Sequence, residues 1–201
     1  MWWDPVQART SDDNDVTDRI LEGNAYDQAE VTVRRTFPLR AVGKLNTAAG
    51  VLWLSGLLAP VLLLSRPRIR STEGIETLSE SLSLVLVDLV LIGVVNTLGA
   101  GLVLARQLYA IDRRSLNEEE ARRLIRTEDL LMLFVVQGGL FVLIPVAIAV
   151  AGAASGDLVE TLYGYGVTVY APGGVGVVDA RHVSVFGVGS GVVLFWLSRR
   201  L

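Results

Sequence analysis

Cysteine is absent from this 201-residue chain, and histidine and lysine each occur only once. Without cysteine, the chain has no disulfides, thiolate metal sites or cysteine nucleophiles. A single histidine, His182, argues against a histidine-based metal site. The sequence also contains no glycine-rich phosphate loop followed by lysine, no G-x-S-x-G and no H-E-x-x-H. We therefore expect a protein that is not an enzyme and that binds no metal and no cofactor.

Charge is scarce as well. Charged residues make up 19% of the chain and hydrophobic residues 51%, whereas an average soluble domain is about 25% charged. The charges avoid several long stretches, a distribution typical of membrane proteins. Seventeen arginines accompany the one lysine, and this composition resembles that of proteins from salt-loving archaea or their viruses.

Four apolar segments are long enough, or nearly so, to cross a bilayer. A helix needs about 20 residues to cross the hydrocarbon core. The first three segments reach that length, but the fourth has only 15 residues and extends about 22 Å. Whether it spans fully depends on flanking residues or on local bilayer thinning. The segments are 45–64, 84–105, 130–154 and 183–197.

The predicted fold is therefore an all-α membrane protein with two parts. Residues 1–44 carry eight acids and six bases and form an N-terminal cytoplasmic segment, either a solvated tail or a docking segment for a partner. Residues 45–201 form a four-helix transmembrane domain. Its cytoplasmic loop at 115–129 is expected to be helical, with Ser115 and Glu118 forming a capping box. Its outer loop at 155–182 is expected to contain a small β-hairpin that turns at Pro172 and Gly173.

Arginine and lysine near the ends of the spans predict the orientation, because they favour the cytoplasmic side. With four spans, twelve of these residues fall on one side and four on the other. The richer side contains both termini, which we therefore expect to be cytoplasmic. If the fourth segment did not span, the contrast would fall to ten against six, so the four-span arrangement fits better.

Asp88 is the one carboxylate within the apolar segments. It lies four residues, or about 6 Å, from the predicted outer end of the second span. Arg181 and His182 begin the fourth span at about the same level. We expect an Asp88–Arg181 ion pair that holds the two helices together. Proton or cation transfer through Asp88 and simple exposure to water at the outer rim are the alternatives.

Asn96 and Gln137 are predicted to lie at similar depths, about 12 Å and about 10 Å from the inner ends of their helices. An amide–amide hydrogen bond between neighbouring helices is the preferred interpretation, and a polar pore lining is the alternative. Small residues at helical spacing predict close helix packing, either within one chain or between copies. These packing residues are Gly93, Thr97 and Gly101 on the second span and Gly187 and Gly191 on the fourth.

The sequence favours a non-catalytic integral membrane protein, a structural or accessory subunit of a larger assembly of cellular or viral origin. Its expected partners are the lipid bilayer and other proteins, or further copies of itself, through the transmembrane helices. The alternative function is a small oligomeric transporter or channel that uses Asp88. Nucleic-acid binding is not expected, because acids match the arginines of the second loop.

Overall fold

The computed structural model describes residues 25–32, 36–61, 81–111, 117–166, 169–171 and 180–200. Apart from one two-residue strand pairing, the regular elements of these residues are helices. We number the helices in chain order. They are α1 (Ala25–Thr32), α2 (Ala41–Ser55), α3 (Leu84–Ile111), α4 (Glu118–Ala154), α5 (Gly156–Gly164) and α6 (Ala180–Arg200).

Four helical segments are long and apolar enough to cross a membrane. The fourth contains 21 residues and is therefore about 31 Å long, which matches the hydrocarbon core. It exceeds the apolar run of 15 residues because the helix also includes the polar residues at both of its ends. The four segments are Val42–Val61, Leu84–Ala110, Glu118–Gly152 and Ala180–Arg200.

The first span is interrupted in its last third. Helix α2 ends at Ser55, residues 56 and 57 form a turn, and helical structure resumes at residue 58. Pro60 lacks the N–H that would bond to the carbonyl of Gly56, which explains a break at this point. The Ser184 hydroxyl of α6 is inserted into the gap. Its oxygen accepts a hydrogen bond from the Ala59 N–H at 3.2 Å and donates to the Ser55 carbonyl at 3.0 Å.

Helix α4 combines the predicted cytoplasmic helix and the third span in 37 continuous residues. Its capping box is formed by Asn117 and Glu120, each side chain accepting a hydrogen bond from the other residue's backbone N–H. The predicted box at Ser115 and Glu118 is therefore wrong by two residues: Glu118 is already the first helical residue, and Ser115 lies outside the described residues. Both patterns match the capping sequence, so the sequence alone did not distinguish them.

Two helix pairs dominate the packing of the bundle. Helix α3 packs most extensively on α4, and α2 packs on α6. The apolar side chains between the four long helices form one continuous buried cluster. Its fully buried members include Leu45, Leu52, Val90, Val94, Leu104, Met132, Val135 and Leu194.

The loop at 155–182 does not contain the predicted hairpin in its described part. Tyr170–Ala171 pairs antiparallel with Ser81–Leu82, the segment just before α3. Tyr170 is buried, and the Tyr163 hydroxyl of α5 donates to its carbonyl at 2.6 Å. These contacts hold the segment against the bundle, and its strand partner comes from the loop between the first two spans. Residues 172–179, including the predicted turn, lie outside the described residues.

The described part of the N-terminal segment packs against the bundle. Tyr26 and Ala29 of α1 are buried in a small apolar cluster with Ala121 and Ile125 of α4. Helix α1 is therefore not part of a solvated tail. It docks on the same chain, on the first turns of α4, which precede the apolar run that begins at Leu130.

Candidate functional site

Asp88 lies on the outward side of α3. Residues three and four positions apart share one side of a helix, and the neighbours of Asp88 at this spacing are Leu84, Val85, Leu91 and Ile92. Leu91 is partly buried, whereas the other three are at least half exposed, as is Val95 one turn further on. The Asp88 carboxylate is exposed along with them. It therefore belongs to the surface of the bundle, within a stripe of apolar side chains.

The structure does not bring Asp88 and Arg181 together. Arg181 and His182 are exposed at the start of α6, and within the described ranges Asp88 forms no ion pair. Helices α3 and α6 approach each other closely at Gly101, where an added Cβ would overlap the side chain of Leu194. That contact lies about 20 Å along the helix from Asp88, so it does not bring the first turns of α3 against α6.

Asn96 and Gln137 also remain apart. Asn96 is half-buried, Gln137 is exposed, and no hydrogen bond joins them in the described part of the chain. The contact between α3 and α4 runs through the residues next to them. An added Cβ at Gly93 would lie 2.6 Å from the Gly138 carbonyl oxygen. Since adjacent helical residues differ by about 100° in direction, Gln137 points away from the contact that Gly138 makes.

The small residues that the sequence singled out lie at contacts within the chain. Gly93 meets the backbone of α4 at Gly138, and a Cβ at Gly138 would overlap the Thr97 hydroxyl. On α6, a Cβ at Gly187 would overlap the Ser55 hydroxyl, and one at Gly191 would lie 2.5 Å from the Trp53 ring. Such positions let two helix backbones approach closely.

A buried cluster of charges lies where α1, α2 and α4 meet. The Lys44 ammonium group is 3.0 Å from Glu128 Oε2 and 3.3 Å from Asp129 Oδ1. The Tyr26 hydroxyl donates to Glu128 Oε1 at 2.5 Å, and the Thr36 N–H donates to Asp129 Oδ2 at 2.7 Å. Lys44 and Glu128 are fully buried. We call these five residues the Lys44 cluster.

Every carboxylate oxygen of the Lys44 cluster accepts a hydrogen bond. This matters because a buried charge without partners is strongly destabilising, whereas a paired one with satisfied oxygens is tolerated. The cluster joins three separate parts of the chain, since Tyr26 and Glu128 are 102 positions apart. The Lys44 cluster therefore links helices to one another, and its polar atoms form hydrogen bonds within the cluster.

Sequence reasoning missed this cluster, although a signal was present. Lys44 is the only lysine of the chain and stands at the start of the first span, while Glu128 and Asp129 stand directly before the third. The arginine and lysine count includes Lys44 as one flanking charge and takes no account of the two carboxylates. If the first and third spans are neighbours in the bundle, Lys44 comes to lie beside Glu128 and Asp129.

Two serines of α6 tie it to α2 in addition to the glycine contacts. Ser184 bridges the break in the first span, and the Ser198 hydroxyl lies 2.7 Å from Asn46 Oδ1. These bonds lie near opposite ends of α6, so they hold the antiparallel pair in register.

No protein-family model, curated protein or solved structure matches this chain.

Proposed function

We propose that this protein is a non-catalytic integral membrane protein, a structural or accessory subunit of a larger membrane assembly. The observation that carries the proposal is the direction of its polar groups. Asp88 and Gln137, the two side chains best suited to a path through the spans, are exposed on the outside of the bundle. Between the helices lie mainly close-packed apolar residues and small residues, and the buried charges of the Lys44 cluster are paired with one another.

Polar groups on a lipid-facing surface favour association with another protein. A carboxylate or amide in hydrocarbon loses the hydrogen bonds that water would supply, and membrane proteins usually bury such groups against other helices. Asp88 and Gln137 stand in rows of exposed leucine, isoleucine, valine and phenylalanine. A neighbouring helix that covers these rows would supply the missing partners, as expected for a subunit.

The orientation that accompanies this proposal has both termini in the cytoplasm. It rests on the arginine and lysine contrast of twelve to four. In this orientation the Lys44 cluster lies at the cytoplasmic ends of the first and third spans, and Asp88 lies near the outer surface. Reporter fusions after residue 201 and within 157–180 test it: the first is expected to be active only inside, the second only outside. An externally active fusion at residue 201 would contradict this orientation.

The alternative is a small oligomeric transporter or channel that uses Asp88. The exposure of Asp88 restricts this alternative. Because Asp88 lies on an outward face, an ion path that includes it must be enclosed by several copies of the chain. A single copy would not enclose the carboxylate.

Purification of the full chain in mild detergent, followed by reconstitution into vesicles, distinguishes the two functions. For a structural or accessory subunit we expect defined assemblies, with proton and cation flux no higher than in protein-free vesicles. Flux that the Asp88→Asn variant abolishes, with its assembly unchanged, would overturn the proposal in favour of the transporter.

A further inference from the structure

We infer that two copies of this chain associate through the side of α4 that carries Gln137. We define the Gln137 face as Leu130, Leu133, Gln137, Leu140 and Ile144, which follow one another at alternating spacings of three and four residues. The four apolar members are each at least half exposed, and Gln137 is exposed among them. This inference rests on the proposed function and names the partner for one of its surfaces.

Gln137 is the feature that calls for a partner. It lies seven residues, or about 10 Å, inside the apolar part of α4 that begins at Leu130. Within the described residues its amide makes no hydrogen bond. An amide in the hydrocarbon core without a partner is unfavourable, because its two N–H groups and its carbonyl oxygen have no water to bind.

A second copy provides a partner of the right kind at the right depth. Two copies inserted in the same orientation have parallel α4 helices, so each residue of the Gln137 face meets its counterpart at the same level. An amide both donates and accepts hydrogen bonds, so two facing Gln137 side chains satisfy each other. Apolar residues at spacings of three and four are those that interdigitate in a parallel helix pair, and a single polar residue among them specifies the register.

The outward faces of α3 and α6 are less suited to a symmetric contact. The exposed side of α3 contains Asp88, and two facing carboxylates repel each other. The exposed side of α6 contains Val185, Phe186, Val192 and Val193. Those residues have no polar group that a partner must satisfy. The Gln137 face therefore contains an amide that lacks a hydrogen-bond partner in the described residues and that can bond to the same amide of a second copy.

Disulfide cross-linking tests this inference directly, because the chain has no native cysteine. The full chain with one cysteine at Leu140 or Ile144 is reconstituted into phosphatidylcholine–phosphatidylglycerol vesicles and oxidised. We expect covalent dimers from both variants. Val136→Cys and Leu143→Cys are the matched controls: both sites are about as exposed but lie about 100° and about 120° around the helix from Gln137. We expect little dimer from them.

The contribution of the amide is measured by substituting Gln137 in the Leu140→Cys background. Gln137→Leu is expected to weaken dimerisation about 3- to 15-fold, the range for one hydrogen bond between membrane helices. Gln137→Asn should retain most of the association. Equal cross-linking at Leu140 and Leu143, or no effect of Gln137→Leu, would overturn the inference. If no α4 cysteine cross-links but the chain still purifies in a larger assembly, association through the Gln137 face is wrong while the proposed function stands.

Discussion

The charged groups at the two ends of the bundle lie in opposite surroundings. Near the start of the first span, Lys44 is fully buried and paired with Glu128 and Asp129. Near the start of the second span, Asp88 is exposed on the surface of the bundle. Judged by sequence, Asp88 was the conspicuous charge, because apolar residues surround it in the chain, and Lys44 was one flanking base among many.

The difference shows that an apolar sequence neighbourhood does not make a side chain buried. All residues of a spanning helix share the same apolar stretch, but only one side of the helix meets other helices. Lys44 lies on the side of the first span that faces α4, whereas Asp88 lies on the side of α3 that faces away. Substitutions that remove one charge at a time therefore test whether the two ends differ in energy as they differ in geometry.

The largest effect is expected from Lys44→Met. This change leaves Glu128 buried and Asp129 nearby without their cation, and breaking a buried pair in this way costs about 3–5 kcal/mol. The free energy of unfolding in mixed detergent micelles is the measurement. Arg123→Met is the control, because Arg123 pairs with Glu119 on the exposed surface of α4, and such a pair contributes about 0.2–0.5 kcal/mol.

A double substitution sharpens this test. Lys44→Met combined with Glu128→Leu should lose less stability than Lys44→Met alone, because no fully buried charge is then left without a partner. If Lys44→Met destabilised the protein no more than Arg123→Met, the buried ion pairs of the Lys44 cluster would not stabilise the fold.

A smaller effect is expected from Tyr26→Phe. It removes the hydrogen bond to Glu128 Oε1 but leaves the aromatic ring in place, and a hydrogen bond to a charged group contributes about 1.5–3 kcal/mol. Because this bond also holds α1 on α4, limited proteolysis near residues 25–32 should become faster. Tyr165→Phe is the control, since Tyr165 is 81% exposed. Equal results for the two variants would mean that the hydroxyl does not anchor α1.

The smallest effect is expected from Asp88→Asn. An exposed residue without an ion pair in the described structure should change the free energy of unfolding by no more than about 0.5 kcal/mol. The same unfolding measurement applies, with Asp157→Asn on the exposed surface of α5 as the control. A loss greater than about 1 kcal/mol would mean that Asp88 has a partner within the chain itself, and the charge-swapped variant Asp88→Arg with Arg181→Asp would then test whether that partner is Arg181.

Much of the helical architecture was predictable from the sequence. The helix of the second span begins at Leu84, where the apolar run begins, and helix α4 contains the whole third apolar run. The ion pairs Glu118–Arg122 and Glu119–Arg123 form as helical spacing predicts. The break near Gly56 was not predicted, although Pro60 contained the signal. The pairing of Tyr170–Ala171 with Ser81–Leu82 was not predictable, because two short segments far apart in the chain show no local preference for each other.

The sequence by itself determined that three segments are long and apolar enough to cross a bilayer and that a fourth is nearly so, because span length and apolar content are local properties of the chain. Only the tertiary structure decided which way each polar side chain points. The rotation of a helix about its axis depends on the helices that it packs against, and the close contact of Gly93 with Gly138 sets this rotation for α3 and α4. The same contact leaves Asp88 and Gln137 outside, while Lys44 meets a carboxylate 84 positions away.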